Sequence, residues 1–130
     1  MSCPDVHELC VNEGSQREYT ATLRDKPIAP ATVGDPVPLA SLTALTITLK
    51  DVETGGVINT RTAQSVKNAN NGTYHATSGL FTMAFQALDN IIVDPLIRTE
   101  IHLATFLATW SGGQHQWDVV VKVKNLGMTK

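Results

Sequence analysis

A chain of 130 residues is long enough for one domain with a packed core and too short for two. Charged residues make up 17%, below the usual quarter or so, the formal net charge is −2 and the ten Lys and Arg are scattered, which argues against a nucleic-acid clamp and gives no polybasic membrane signal. No apolar run approaches the roughly 20 residues that span a bilayer, and the opening "MSCPDVHELCVNEG" has neither the basic nor the apolar region of a secretion signal, so the expectation is a chain made and kept in a cytosol.

The first 15 residues read as an N-terminal arm. It holds both cysteines, Cys3 and Cys10, with His7 between them. Thiolate and imidazole suit zinc, but a closed tetrahedral site needs a fourth ligand and usually short Cys-x-x-Cys hooks, and neither is present. The reading is therefore no metal and two reduced thiols in an arm that packs on something, a disulfide being open only to an oxidising setting.

From Gln16 onward period-two alternation dominates, so residues 16–130 read as one mostly β domain. In "REYTATLR" Tyr19, Ala21 and Leu23 share a face, giving a first strand. "DKPIAPATVGDPVPL" holds four of the six prolines and reads as an edge-hugging connection, because the ring removes ladder donors. "LTALTITLKD" turns Leu45, Ile47 and Leu49 inward and ends at the turn "ETGG". "VINTR" reads as a short strand, and Asn71-Gly72 in "NANNGTY" as a hairpin turn. "GLFTMAF" sets Phe81, Met83 and Phe85 on a buried face. "QALDNIIVDPL" reads as a corner or single helical turn stopped at Asp94-Pro95. The last third is one long hairpin, Arg98 to Trp110 and Gln114 to Asn125. About seven short strands with frequent turns predict an all-β antiparallel sandwich.

If Gly112 and Gly113 are the central turn residues, the hairpin pairs Trp110 with His115, Ala108 with Trp117, Phe106 with Val119 and Ala104 with Val121. Trp110, Phe106, Trp117, Val119 and Val121 then join the core. On the opposite face lie Ile101, Leu103, Leu107 and Val120, an apolar stripe where a wet surface is expected. Such a stripe implies cover by the arm or by a partner, which makes these four, with Cys3 and Cys10, the candidate interface.

Catalytic patterns are missing: no G-x-S-x-G, no phosphate-cradling glycine loop, no H-E-x-x-H. Glu100 and His102 share a strand face and form the nearest approach to an acid–base pair. The simpler reading is a hydrogen-bonded histidine at the edge of the core. His115 beside Trp117 suits stacking on a sugar ring, but the register turns Trp117 inward.

Several segments then resemble the small immunoglobulin-like virion proteins of tailed bacteriophages: "GDPVPLASLTALTITLKDVETGGVINTR", "NANNGTY", "SGLFTMAF", "ALDN", "EIHLATFLATW" and "GGQHQWDVVVKVKNL". The resemblance runs from about Gly34 to Leu126 and is most specific in the final hairpin. It implies an immunoglobulin-like β-sandwich without enzymatic activity or cofactor. The implied role is a virion structural protein, either a capsid decoration or cement protein or a head-to-tail neck component. The alternative is a receptor- or carbohydrate-binding module on the tail or baseplate. The implied partners are other virion proteins (major capsid, portal, neck or tail protein) and further copies of the chain, with no direct nucleic-acid or membrane contact. The implied place is the virion, after synthesis in the bacterial cytoplasm. The chain departs from antibody domains, having no inter-sheet cysteine pair and no corner tyrosine around "LDNIIVDPLIRTEIHLATF".

Overall fold

The computed structural model describes residues 7–25 and 35–128. Within these residues eight strands form two sheets facing each other across one core. They are β1 (Glu8–Asn12), β2 (Arg17–Thr22), β3 (Leu42–Asp51), β4 (Gln64–Ser65), β5 (Gly72–Tyr74), β6 (Leu80–Phe85), β7 (Thr99–Trp110) and β8 (Gly113–Lys124). One sheet runs β1-β8-β7-β3-β4, the other β2-β6-β5. Every β2–β6, β5–β6, β3–β7 and β7–β8 pairing is antiparallel, whereas β1 lies parallel to β8. Alternation decides which side chains go inward. Tyr19, Leu45, Ile47, Leu49, Phe81, Met83, Phe85, Phe106, Trp110, Val119 and Val121 are all buried, and Trp117 packs half-buried against them.

Three expectations are corrected over the first half of the chain. Residues 8–12 are not an arm outside the domain. They are the edge strand β1, paired Glu8 to Val120 through Asn12 to Lys124, with Leu9 and Val11 in the core. A five-residue run with only two apolar side chains carries too little alternation to be recognised beside the longer strands. Nor are the thiols reduced: Cys10 is disulfide-bonded, and Cys3, the chain's other cysteine, lies outside the described residues. A disulfide removes Cys10 from any zinc ligand set, which requires the thiolate. "VINTR" is not a strand beyond a single bridge between Val57 and Lys50. Its residues Asn59 and Thr60 take φ of +52° and +54°, which no extended strand accommodates.

The Asn71-Gly72 turn is not a hairpin either. β4 and β5 lie in different sheets, so this segment carries the chain from one layer to the other. Asn68, Asn70 and Asn71 supply the positive φ, at 52°, 49° and 75°. Gly72 is needed for space: a Cβ there would lie 2.2 Å from the Val66 carbonyl oxygen.

In the long hairpin the register differs from the expected one by two residues. Trp110 pairs with Gly113, Ala108 with His115, Phe106 with Trp117 and Ala104 with Val119. The central turn residues are therefore Ser111 and Gly112, and neither takes a positive φ. The tip has a contact from outside the hairpin. Asp25, following β2, accepts from the Trp110 indole at 3.3 Å, and its carboxylate sits 3.0 Å from where a Gly112 Cβ would be, so the tip is packed against it. A shift of two preserves the faces, which is why the inward assignments hold although the pairs change.

Candidate functional site

The four candidate interface residues on the outer face of the large sheet are half-buried. Leu103 lies between Val120 on β8 and Lys50 on β3, Leu107 between Gln116 and Thr46, and Ile101 opposite Lys122. Lys122 pairs with Glu8 of β1 at 3.3 Å, and Thr105 donates to Asp118 at 2.8 Å, so this face is bordered by its own polar groups. Cys10 lies on the same face, half-buried, opposite Lys122.

The exposed apolar surface is elsewhere. Among the described residues, the large exposed apolar side chains are Val52, Val57, Leu88, Ile91, Val93, Leu96, Leu126 and Leu80. All but Leu80 sit at one end of the sandwich, where β3 ends and β7 begins. Leu96 is 81% exposed and Leu88 64%. Single exposed apolar residues are ordinary, but seven of the eight lying toward one end is a biased distribution.

This end is held firmly. Leu88 rides on a 3-10 turn (Ala87–Asn90), where the Asp89 carboxylate accepts from the Gln86 N–H at 2.7 Å. Val93 and Asp94 donate backbone N–H groups to the Glu100 carboxylate at 2.8 and 2.7 Å. The Asn125 amide donates to the Pro95 and Ile97 carbonyls at 3.1 and 2.9 Å. Val52 donates its N–H to the Ile101 carbonyl at 3.0 Å, and Glu13 accepts from the Leu126 N–H at 2.7 Å. The backbone of these loops is thus tied down by side chains of the domain itself.

The sequence missed this patch. "ALDNIIVDPL" is visibly apolar, but in an irregular segment no periodicity says which residues point outward.

Beneath the end lies a polar core. Arg61 and Asp89 are buried and joined twice, Nε to Oδ1 at 2.5 Å and an NH2 nitrogen to Oδ2 at 2.9 Å. The same guanidinium donates to the Gln64 side chain at 2.6 Å, the Asn70 carbonyl at 3.1 Å and the Asn71 side chain at 3.0 Å. Glu100 and His102 meet at 2.5 Å and are 2% and 0% exposed, which matches the reading of His102 as a hydrogen-bonded core histidine.

The aromatic candidates also have internal partners. Phe106 stacks on Tyr19 and Trp117 at 5.7 and 5.2 Å, and Phe81 meets it edge-on at 5.4 Å. The Trp117 indole N–H donates to the Tyr19 hydroxyl at 3.0 Å, and the ring stacks on exposed His115 at 5.4 Å. The cleft beside them, lined by Tyr19, Leu45, Tyr74, Phe81, His115 and Trp117, holds about 90 Å³. That is well under the roughly 300 Å³ at which small-molecule sites begin.

Burial pushes the Tyr19 hydroxyl above its usual 10.0, the Trp117 hydrogen bond offsetting part of this, and burial alone does the same for Tyr74. With the folded-state value raised, the unfolded chain loses its proton first. The stabilisation is complete below pH 10 and is lost as pH rises through the folded-state values. Urea midpoints measured from pH 8 to 11.5 should hold level and then fall above pH 10, and the fall should be shallower for Tyr19→Phe.

No helix among the described residues is long and apolar enough to cross a membrane. No family model and no curated protein matches the sequence. Among solved structures, the crystal structure of the titin M3 domain is similar at 11% identity, over 90% of this chain and 88% of that one, with a TM-score of 0.37. By its two layers and strand order the chain is an immunoglobulin-like β-sandwich, with its first strand added alongside the last.

Proposed function

We propose that this chain is a non-enzymatic structural module of a tailed-phage virion. It serves as a capsid decoration or neck component that docks through the apolar end of the sandwich onto a neighbouring virion protein. The observation that carries the reading is the gathering of Val52, Val57, Leu88, Ile91, Val93, Leu96 and Leu126 at one end. The resemblance of the stretches between Gly34 and Leu126 to small virion proteins supplies the particle, and an immunoglobulin-like sandwich supplies a rigid frame for presenting loops.

In a phage lysate the chain should sediment with intact particles at a fixed copy number. Leu88→Asp combined with Leu96→Asp should cut particle occupancy at least tenfold. Both side chains are exposed, so the melting temperature should move by no more than about 2 °C, in keeping with surface substitutions. A chain recovered only from the soluble fraction, or a double variant that loads as well as the parent, overturns the proposal.

A further inference from the structure

A strand at the border of a sheet carries backbone N–H and C=O groups with no neighbour, and folded proteins shorten, cap or bend such edges. Three of the four edges in this sandwich are managed in that way. β4 is two residues long and β5 three. On β5 the Tyr74 N–H is taken by the Asn68 side chain at 2.7 Å and the Gly72 N–H by the Ala69 carbonyl at 2.9 Å. On β1 the carbonyls of Cys10 and Asn12, which face away from β8, accept from the Arg17 guanidinium at 3.3 Å and the Ser15 N–H at 3.1 Å.

β2 is the exception. It runs six residues, Arg17–Thr22, along the border of the small sheet, with no proline, no lysine and no shift of register against β6. The ladder decides which of its groups face outward. On β6 the Leu80 carbonyl and the Ala84 N–H bond to His75 and Asn71 on the β5 side, so Phe81, Met83 and Phe85 bond to Ala21, Tyr19 and Arg17. Glu18, Thr20 and Thr22 therefore direct both backbone groups away from the sheet. All three residues are exposed, and no hydrogen bond from a described residue reaches those groups.

We propose that β2 is the contact strand of a twofold dimer of this chain, pairing antiparallel with β2 of a second copy and joining the two three-stranded sheets into one. The charge pattern selects the register. Centred on Arg17 or Glu18, the pair sets like charges face to face, and centred on Tyr19 it sets the two Glu18 carboxylates diagonally adjacent, which is unfavourable in either case. Centred on Ala21 or Thr22, Glu18 finds no partner on β2. Centred on Thr20, every outward residue has a ladder partner: Glu18 lies opposite Thr22, and the two carboxylates stand about 13 Å apart along the seam. Thr20 then meets its own twin, and Tyr19 lies opposite Ala21, large against small. One pattern satisfies both strands, as an isologous contact requires, and this self-complementarity favours a second copy over an unrelated extended segment. The contact shares no residue with the apolar end and does not depend on the particle role proposed above.

Sedimentation equilibrium of the purified chain should show a reversible monomer–dimer equilibrium between micromolar and millimolar concentration, weak because one strand seam buries little area. As concentration rises, amide exchange should slow at Glu18, Thr20 and Thr22 far more than at Tyr19 and Ala21, whose amides already sit in the ladder. Thr20→Lys places two like charges at the twofold and should weaken self-association at least tenfold, as should Thr20→Glu, whereas an equimolar mixture of the two variants should associate at least as tightly as the parent. The Thr20 side chain is exposed and its N–H takes no part in the β2–β6 ladder, so both variants should melt within about 2 °C of the parent. Leu88→Asp with Leu96→Asp should leave the dimer unchanged, which separates this contact from docking at the apolar end. A chain that stays monomeric up to millimolar concentration, a singly charged variant that self-associates like the parent, or a mixture that remains monomeric overturns the assignment.

Discussion

Replacing Arg61 by Ala is expected to destabilise the domain by about 3–5 kcal/mol, because removing one member of a buried ion pair leaves the other charge uncompensated. For a domain of this size that lowers the melting temperature by roughly 10 °C or more. Asp89 would lose both of its guanidinium contacts and keep only the Asn59 amide at 2.8 Å and the Gln86 N–H at 2.7 Å. The loss extends along the chain. Asn59, Thr60, Ala63, Asn68, Asn70 and Asn71 all have positive φ without being glycine, so the crossover between the sheets is held in sparsely populated conformations. Arg61 reaches across that crossover to Gln64, Asn70 and Asn71 and is what fixes it. Thermal unfolding followed by circular dichroism, together with limited proteolysis, checks both parts. Arg61→Ala should melt early and be cut first between residues 59 and 71, whereas Arg61→Met with Asp89→Leu should recover part of the loss, since no lone charge remains. A single variant as stable as the parent would mean that the pair contributes nothing.

Phe106→Ala should cost about as much, roughly 3–5 kcal/mol, by a different route: lost burial and an unfilled cavity. Phe106 is fully buried on the large sheet, and two of its ring neighbours, Tyr19 and Phe81, belong to the small one, so the side chain is a principal tie between the layers. Its loss also removes the support under Trp117. The expected signature is a lower urea midpoint with an unchanged slope, accompanied by a changed tryptophan emission in the folded state. Trp117→Phe removes only the indole N–H to Tyr19 and part of a half-buried ring, and should cost about 1 kcal/mol. Equal costs for the two substitutions would show that the ring stack does not tie the sheets together.

The parts legible in the sequence were those where one physical rule acts alone. β3 is recognisable from Leu45 onward because Leu45, Ile47 and Leu49 alternate with Thr46, Thr48 and Lys50, whereas the register shift between Leu42 and Ala44 at its start leaves no such pattern. β6 and the long hairpin are visible for the same reason. Where a distant residue decides, local pattern fails. The hairpin tip is met by Asp25, 85 residues before its Trp110 partner, a contact that no local pattern shows. The course of the chain from Ile58 to Asn71 depends on an arginine that reads as a surface charge until Asp89 is placed beside it. At the apolar end the composition was visible and the orientation was not. Leu88, Ile91, Val93 and Leu96 form no strand or long helix with a fixed inside, so their exposure is a property of the fold and not of the segment.

The parallel pairing of β1 with β8 has a mechanical consequence. Because the two strands point the same way, tension applied through the chain before β1 and after β8 pulls them in opposite directions along their length. The five residue pairs from Glu8–Val120 to Asn12–Lys124 are then loaded together in shear, where an antiparallel pair joined at one end would open bond by bond. The Glu8–Lys122 ion pair and the Glu13 N–H to the Lys124 carbonyl lie along the same seam. Under such tension this edge carries load as one unit.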